Sequence, residues 1–254
     1  MNARTLLAAA LILVSAGCQR DPDLSPEPWR DDPIPRWPTI ALVNEIAIGD
    51  STYGQVGNAF LLDTGADTLG ITCKHVFLLF KDRHGLETID PAPIRSWHMV
   101  DPARPDRRLE TIRLLNADPQ EPIGAFNTLK VRDWLLFEVA EVPTGIQPLR
   151  IRRTPVKKGE IVHTVGWPQE RDRDDRPQVV ELECFMQQGP YFYARTLTRG
   201  TRPGDTSGSP VIDAKGYLVG IVSGAEGNLG VIGSVEYLQR TLEKYGIAYA
   251  VPGN

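Results

Sequence analysis

Three short stretches of this chain bring together the residue types that nucleophilic chemistry needs. Gly204-Asp205-Thr206-Ser207-Gly208-Ser209-Pro210-Val211 sets a serine between a tight polar turn and the start of an apolar strand. Small neighbours leave the Ser207 hydroxyl uncrowded and its backbone N–H free to point outward, as a nucleophile beside an oxyanion hole requires. Ile71-Thr72-Cys73-Lys74-His75-Val76 ends an apolar run on a histidine, and Asp133-Trp134-Leu135-Leu136-Phe137 opens another on a carboxylate. A serine hydroxyl is too weak an acid to attack a carbonyl unaided, so an imidazole must take its proton. A buried carboxylate must then fix the imidazole's tautomer and stabilise the imidazolium. Each of the three sits at a strand edge or in a turn, where polar side chains can converge on a cleft.

Short strands must position them. Residues 40–48, 56–62, 69–73, 134–139, 161–167, 179–185, 191–195, 210–212, 217–223 and 229–232 are rich in β-branched, aromatic and aliphatic side chains, with Gly, Pro, Asp or Asn in most gaps. The spacing predicts an all-β body in two halves that meet near Pro143 to Lys158. One helix is expected at the end, capped by Ser234, with Tyr237, Leu238 and Leu242 as its apolar stripe and Gly246 as its stop. Lys81 to Thr128 is polar and proline-bearing, and reads as long loops plus a strand near residues 109–115.

The ends and the composition bound the function class. With 254 residues, 41% of them hydrophobic, the chain can bury a full core, and its net charge of −4 is spread without long runs. No clustered basic face suggests a nucleic-acid partner. Arg4, the apolar run from Leu6 to Val14 and Ser15-Ala16-Gly17-Cys18 form a targeting segment, and the run is short for a bilayer span. Small residues directly before Cys18 resemble the lipobox of bacterial lipoproteins, which implies an acylated Cys18 as mature N-terminus and anchorage in the cell envelope. Gln19 at the next position implies an outer rather than inner membrane, where there are two. Six prolines between Gln19 and Pro38 predict an extended tether spanning up to roughly 60 Å, with Trp29 and Trp37 able to pack on the folded body. The expected divisions are 1–17 (signal), 18–38 (tether), 39–150 and 151–254.

The three stretches resemble, in order, the histidine, aspartate and serine segments of the trypsin/chymotrypsin superfamily. Thr164-Val165-Gly166-Trp167-Pro168 is similar to a turn of its bacterial branches, and Tyr217 to Gly224 to the strand lining its substrate channel. The resemblance implies two six-stranded antiparallel β-barrels with a C-terminal helix, and a serine endopeptidase acting on a protein or peptide substrate without a cofactor. It further implies Ser207 as nucleophile, His75 as general base and then acid, and Asp133 as orienter. Backbone N–H groups of Ser207 and Asp205 would form the oxyanion hole; Ser223 would neighbour the aspartate, and the Ser223-Gly224 edge would take the peptide by strand addition. Asp205 departs from the family, which has glycine there.

Two other readings compete. Leu61-Leu62-Asp63-Thr64-Gly65-Ala66-Asp67-Thr68 resembles the active segment of retroviral-type aspartic proteases, but that chemistry needs a second carboxylate. A hairpin turn is the simpler account. The non-glycine at Asp205 motivates a catalytically inactive binding module on the same barrels. His163 alternates with strand residues and reads as structural, His84 and His98 lie in loops, and no spacing calls for a metal. Cys73 and Cys184 are left either paired or as buried thiols.

Overall fold

In the computed structural model, residues 25–168, 176–201 and 206–250 are described. Signal-segment residues with Cys18, the charged stretch 169–175, and Arg202 to Asp205 lie outside that set. The first barrel is built from β1 (Leu42–Ile48), β2 (Ser51–Asp63), β3 (Thr68–Thr72), β5 (Ile94–Asp101), β6 (Arg104–Leu114) and β8 (Leu135–Val139). Their order is β1-β5-β6-β8-β3-β2, and pairing of β2 with β1 closes the ring. The small strands β4 (Thr88–Ile89) and β7 (Asp118–Pro122) pair with each other beside it, and β9 (Leu149–Arg150) runs parallel to β2. Met99 of β5 reaches across to Gly70 of β3, and Trp97 of β5 packs on Phe137 of β8, while Phe60, Leu62, Ile71 and Leu136 are also almost wholly buried, so both faces of these strands are covered.

The second barrel closes as β10 (Ile161–Gly166), β11 (Gln178–Gln187), β12 (Tyr191–Thr196), β15 (Leu229–Ser234), β14 (Leu218–Glu226) and β13 (Pro210–Ile212). Its interior holds Val162, Leu182, Cys184, Phe192, Val219, Val222 and Ile232. The final helix, α3 (Val235–Lys244), starts where expected: the Ser234 hydroxyl accepts from Glu236 N–H at 3.2 Å. Its buried Leu238 and Leu242 belong to the same apolar cluster as the first-barrel core, together with Val165, Trp167 and Ile221. Each such leucine contributes roughly 1.5–3 kcal/mol. The seam between the barrels is therefore apolar, and polar groups buried there must find partners.

Three regions differ from the sequence expectation. Residues 94–101 and 104–114 form a hairpin instead of mostly loop. β6 is largely exposed, with only Leu109 and Leu114 buried, so its composition is that of a loop. Val76–His84 forms a helix, α1, that was not expected. The run Val76-Phe77-Leu78-Leu79-Phe80 is apolar at every position and shows neither period clearly. Gly85, left-handed at φ 68°, ends it.

The third difference is the proline-rich stretch. Residues 25–38 are not a free extended spacer; two 3₁₀ turns, Pro28–Asp31 and Ile34–Arg36, lie against the body. Trp29 is buried edge-on to Trp37, as its packing on the body predicted, with the Arg30 guanidinium 4.5 Å from the Trp37 ring centre. Glu27 pairs with Arg150 at 2.6 Å, and Glu27 N–H donates to Lys215 O at 2.8 Å. Aromatic burial and a partly buried ion pair outweigh the extended preference of the prolines.

Candidate active site

His75 stands at the junction of β3 and α1, and Asp133 just before β8. These strands are neighbours, with Thr72 paired to Leu135, so the two residues meet at one rim of the first barrel. Asp133 is 1% exposed. One of its oxygens accepts from His75 N–H at 2.7 Å and the other meets His75 Nδ1 at 2.7 Å. The carboxylate thus fixes both backbone and ring. Burial alone would lower the imidazole pKa; the Asp133 carboxylate more than offsets it, with the Cys73 sulfur acting the same way, and holds the ring well above its ordinary 6.5. Nε2 points to the other side, where Cys73 Sγ lies at 3.6 Å. Phe126, from the short helix α2 (Phe126–Leu129), stands edge-on to the imidazole with ring centres 5.7 Å apart.

Ser207 comes from the second barrel, in the turn before β13, and is buried. Its carbonyl accepts from Asn58 N–H of β2 at 2.6 Å, across the seam. Asn58 side-chain atoms complete the bridge: Nδ2 donates to Trp167 O at 2.9 Å, and Oδ1 accepts from Trp167 N–H at 2.7 Å. Gly208 has φ 84°, and a Cβ there would sit 2.2 Å from Asn58 O, so only glycine permits this approach. A Cβ on Gly57 would meet Ser207 O at 3.2 Å and Cys73 Sγ at 3.7 Å. The serine turn and the sulfur that faces Nε2 therefore close on the same spot. Gly208 N–H donates to Val222 O at 2.7 Å, and Val222 N–H to Ser209 O at 2.9 Å, tying the turn to β14.

Ser223 and Gly224 lie on β14, where pairing with β13 ends at Ile221 while β15 covers the other edge. Beyond Val222 that first edge has no strand partner among the described residues. Gly224 lies under Phe126, where a Cβ would approach the ring to 2.7 Å. The Ser223 hydroxyl is buried and makes no hydrogen bond, so it does not bond Asp133. A Cβ at Gly233 would lie 3.5 Å from this hydroxyl and 3.1 Å from Trp134 Nε1. Asp205 and Cys18 are outside the described residues. Cys73 and Cys184 are both free buried thiols, one in each barrel, and burial pushes Cys184 up to about 11. Asp63 to Thr68 is the β2–β3 hairpin turn, with Asp63 Oδ1 accepting from Gly65 N–H at 2.7 Å. His84 bonds Tyr53 Oη at 3.0 Å, and His98 meets Arg108 at 2.9 Å.

Three buried asparagines escaped the sequence reading. Asn44 Nδ2 donates to Thr72 Oγ1 at 2.9 Å and to Val56 O at 2.8 Å, while its Oδ1 accepts from the Trp97 indole at 2.8 Å. Asn116 Nδ2 donates to Trp134 O at 2.8 Å, and its Oδ1 accepts from Leu136 N–H at 2.9 Å, fixing the chain that follows Asp133. An amide offers a donor and an acceptor together, so it can pair backbone groups left over at irregular strand ends. For Asn44 the available signal was a lone asparagine among the apolar residues of its strand.

Two closed antiparallel barrels with a histidine–aspartate pair and a serine turn at their seam define a trypsin-like serine peptidase. Residues 57–221 match the trypsin-like peptidase domain, and the chain belongs to that family. No curated protein sequence matches the chain. Among solved structures, the active form of the Rv3671c protease from M. tuberculosis is similar at 18% identity with a TM-score of 0.54, covering 100% of this chain and 97% of that one. The HL collagenase is similar at 16% identity with a TM-score of 0.58, covering 84% and 96%. At such identities the likeness is one of fold.

Proposed function

We propose that the protein is an endopeptidase that works through an acyl-enzyme on Ser207, with His75 and Asp133 completing a triad, and that Cys18 carries a lipid anchor in the bacterial cell envelope. The observation that carries the catalytic reading is the pair of 2.7 Å contacts from Asp133 to His75 N–H and Nδ1. With Nδ1 held, Nε2 is left as the basic atom facing the serine turn, and a thiol at 3.6 Å is a weak partner for it. Nε2 takes the Ser207 proton as the oxygen bonds to the scissile carbonyl carbon, then returns it to the leaving amine as the C–N bond breaks. Water, deprotonated by the same nitrogen, releases the acyl group. Backbone N–H groups of Ser207 and Asp205 steady the oxyanion, and the open edge at Ser223 and Gly224 pairs with the extended substrate. The acylated Cys18 holds the barrels at the periplasmic or outer face of the membrane, the outer one in a two-membrane cell.

A fluorophosphonate probe tests the catalytic part. The native protein labels on Ser207, and Ser207→Ala does not label while folding normally. Equal labelling of both would move the assignment to the inactive binding module. Mass spectrometry of the mature N-terminus tests the anchor: an unmodified residue in place of acyl-Cys18 removes it.

A further inference from the structure

Behind the triad lies an ion cluster that the catalytic reading does not use. Lys74 immediately precedes His75, and Arg132 immediately precedes Asp133. Both reach back to one carboxylate, Glu121 of β7. Lys74 Nζ sits 2.8 and 3.0 Å from its two oxygens, and Arg132 Nη1 pairs with Oε1. Lys74 is 5% exposed, and the Glu121 side chain 14%. Arg132 also donates to Pro122 O at 2.9 Å and to Thr128 O at 3.2 Å, which anchors it to the loops on either side. Facing the cluster are Asp118, Lys244, Tyr237 and Tyr245, which line a cavity of about 280 Å³ between β7 and α3.

A buried ion triplet of this kind is a poor stabiliser, because desolvation offsets most of the attraction. Its placement gives it another use. Burial lowers the Lys74 pKa, and Glu121 and, more weakly, Asp133 favour its charged form. Lys74 thus sits within the field of the same carboxylate that must stabilise the His75 imidazolium. Without Glu121, two uncompensated cations would lie one residue from each member of the pair.

Building on the triad proposed above, we infer that Glu121 is a positioning residue: it ties the chain before His75 to the chain before Asp133 and neutralises the two cations beside them. The Asp133 charge is then spent on the imidazole, and the spacing of the pair is set from behind.

The test compares Glu121→Gln, which keeps shape and loses charge, with Glu121→Asp, which keeps charge and shortens the reach, in the mature protein. Glu121→Gln lowers the His75 pKa by roughly half a unit or more, because uncompensated cations disfavour the imidazolium. It also moves the acid limb of kcat/KM to lower pH by the same amount, and kcat falls roughly tenfold or more while KM stays nearly constant. Glu121→Asp keeps the limb and lowers kcat. An unmoved limb in Glu121→Gln, or full kcat in Glu121→Asp, overturns the inference, and the second result decides it if the first variant does not fold. NMR titration of the His75 ring reads the electrostatic part without activity. An inert Ser207 with a shifted His75 therefore overturns the triad reading alone, and a labelled Ser207 with an unshifted His75 overturns this inference alone.

Discussion

On the first-barrel side of the cleft, the charged and amide groups are paired with one another. Both Asp133 oxygens meet His75, both ends of the Asn116 amide meet the chain after Asp133, and Lys74 and Arg132 share Glu121. Across the seam the Ser207 side is held differently. The hydroxyls of Thr206, Ser209 and Ser223 are buried without a hydrogen-bond partner. There the turn is located by backbone contacts: Asn58 to Ser207, Gly208 to Val222, Val222 to Ser209. His75 is fixed by charge and the Ser207 turn by main chain. Charged hydrogen bonds are strong and pH-sensitive, whereas main-chain bonds are neither. The two halves should therefore respond differently to the same kind of substitution.

The largest contrast comes from removing the charge on the base side. Asp133→Asn keeps the shape of the side chain but offers an amide where His75 Nδ1 now meets a carboxylate. We expect probe labelling or turnover to fall by roughly 10³- to 10⁴-fold with the fold intact. The pH signature has a definite sign. His75 is held above 6.5 by the carboxylate, so in the native protein the ring loses its proton only as pH rises through that raised value. Without the carboxylate, burial remains and the ring titrates lower, so the acid limb of the variant moves down. A limb that stays in place while the rate collapses would show that Asp133 acts by geometry alone.

Asn58 is the corresponding residue for the Ser207 side, and its effect should be on assembly. Asn58→Ala keeps the N–H bond to Ser207 and removes the amide's own bonds to Trp167 N–H, to Trp167 O and, at 3.4 Å, to Ser207 O at a buried seam. The expected cost is roughly 2–4 kcal/mol in urea unfolding, with labelling reduced and its pH limb unmoved. A shifted limb would break the division between charge-held and main-chain-held halves.

This division also explains what could be read from the sequence. The strands that carry His75, Asp133 and Ser207 were legible because their apolar pattern is clear, and they form the expected barrels. Asn58 and Asn116 were not, because nothing local distinguishes an asparagine bonding a distant backbone from one in a turn. β6 hid because its outward face is exposed and charged. That Ser223 neighbours the aspartate was an expectation from the family resemblance, and its hydroxyl makes no hydrogen bond. Residues 25–38 looked like a spacer by proline content, yet Trp29 and Glu27 supply burial and an ion pair that composition averages away.

The smallest effect separates the halves most finely. Ser223→Ala removes a buried hydroxyl that makes no hydrogen bond, so only the oxygen's packing is lost and a desolvated polar group is relieved. The stability change should lie within about 0.5 kcal/mol of zero. Asn116→Ala, by contrast, strips partners from Trp134 O and Leu136 N–H and should cost roughly 1–3 kcal/mol. Both residues are buried, and both sit beside the chain that carries or contacts Asp133, so burial and location alone predict similar costs. A loss above about 1 kcal/mol for Ser223→Ala would mean that its hydroxyl does have a partner. The Asp133 carboxylate would be the first to examine, by whether the same variant also lowers the His75 pH limb. A stability loss with an unmoved limb would place the partner on the Trp134 indole, whose N–H is likewise buried and unpaired.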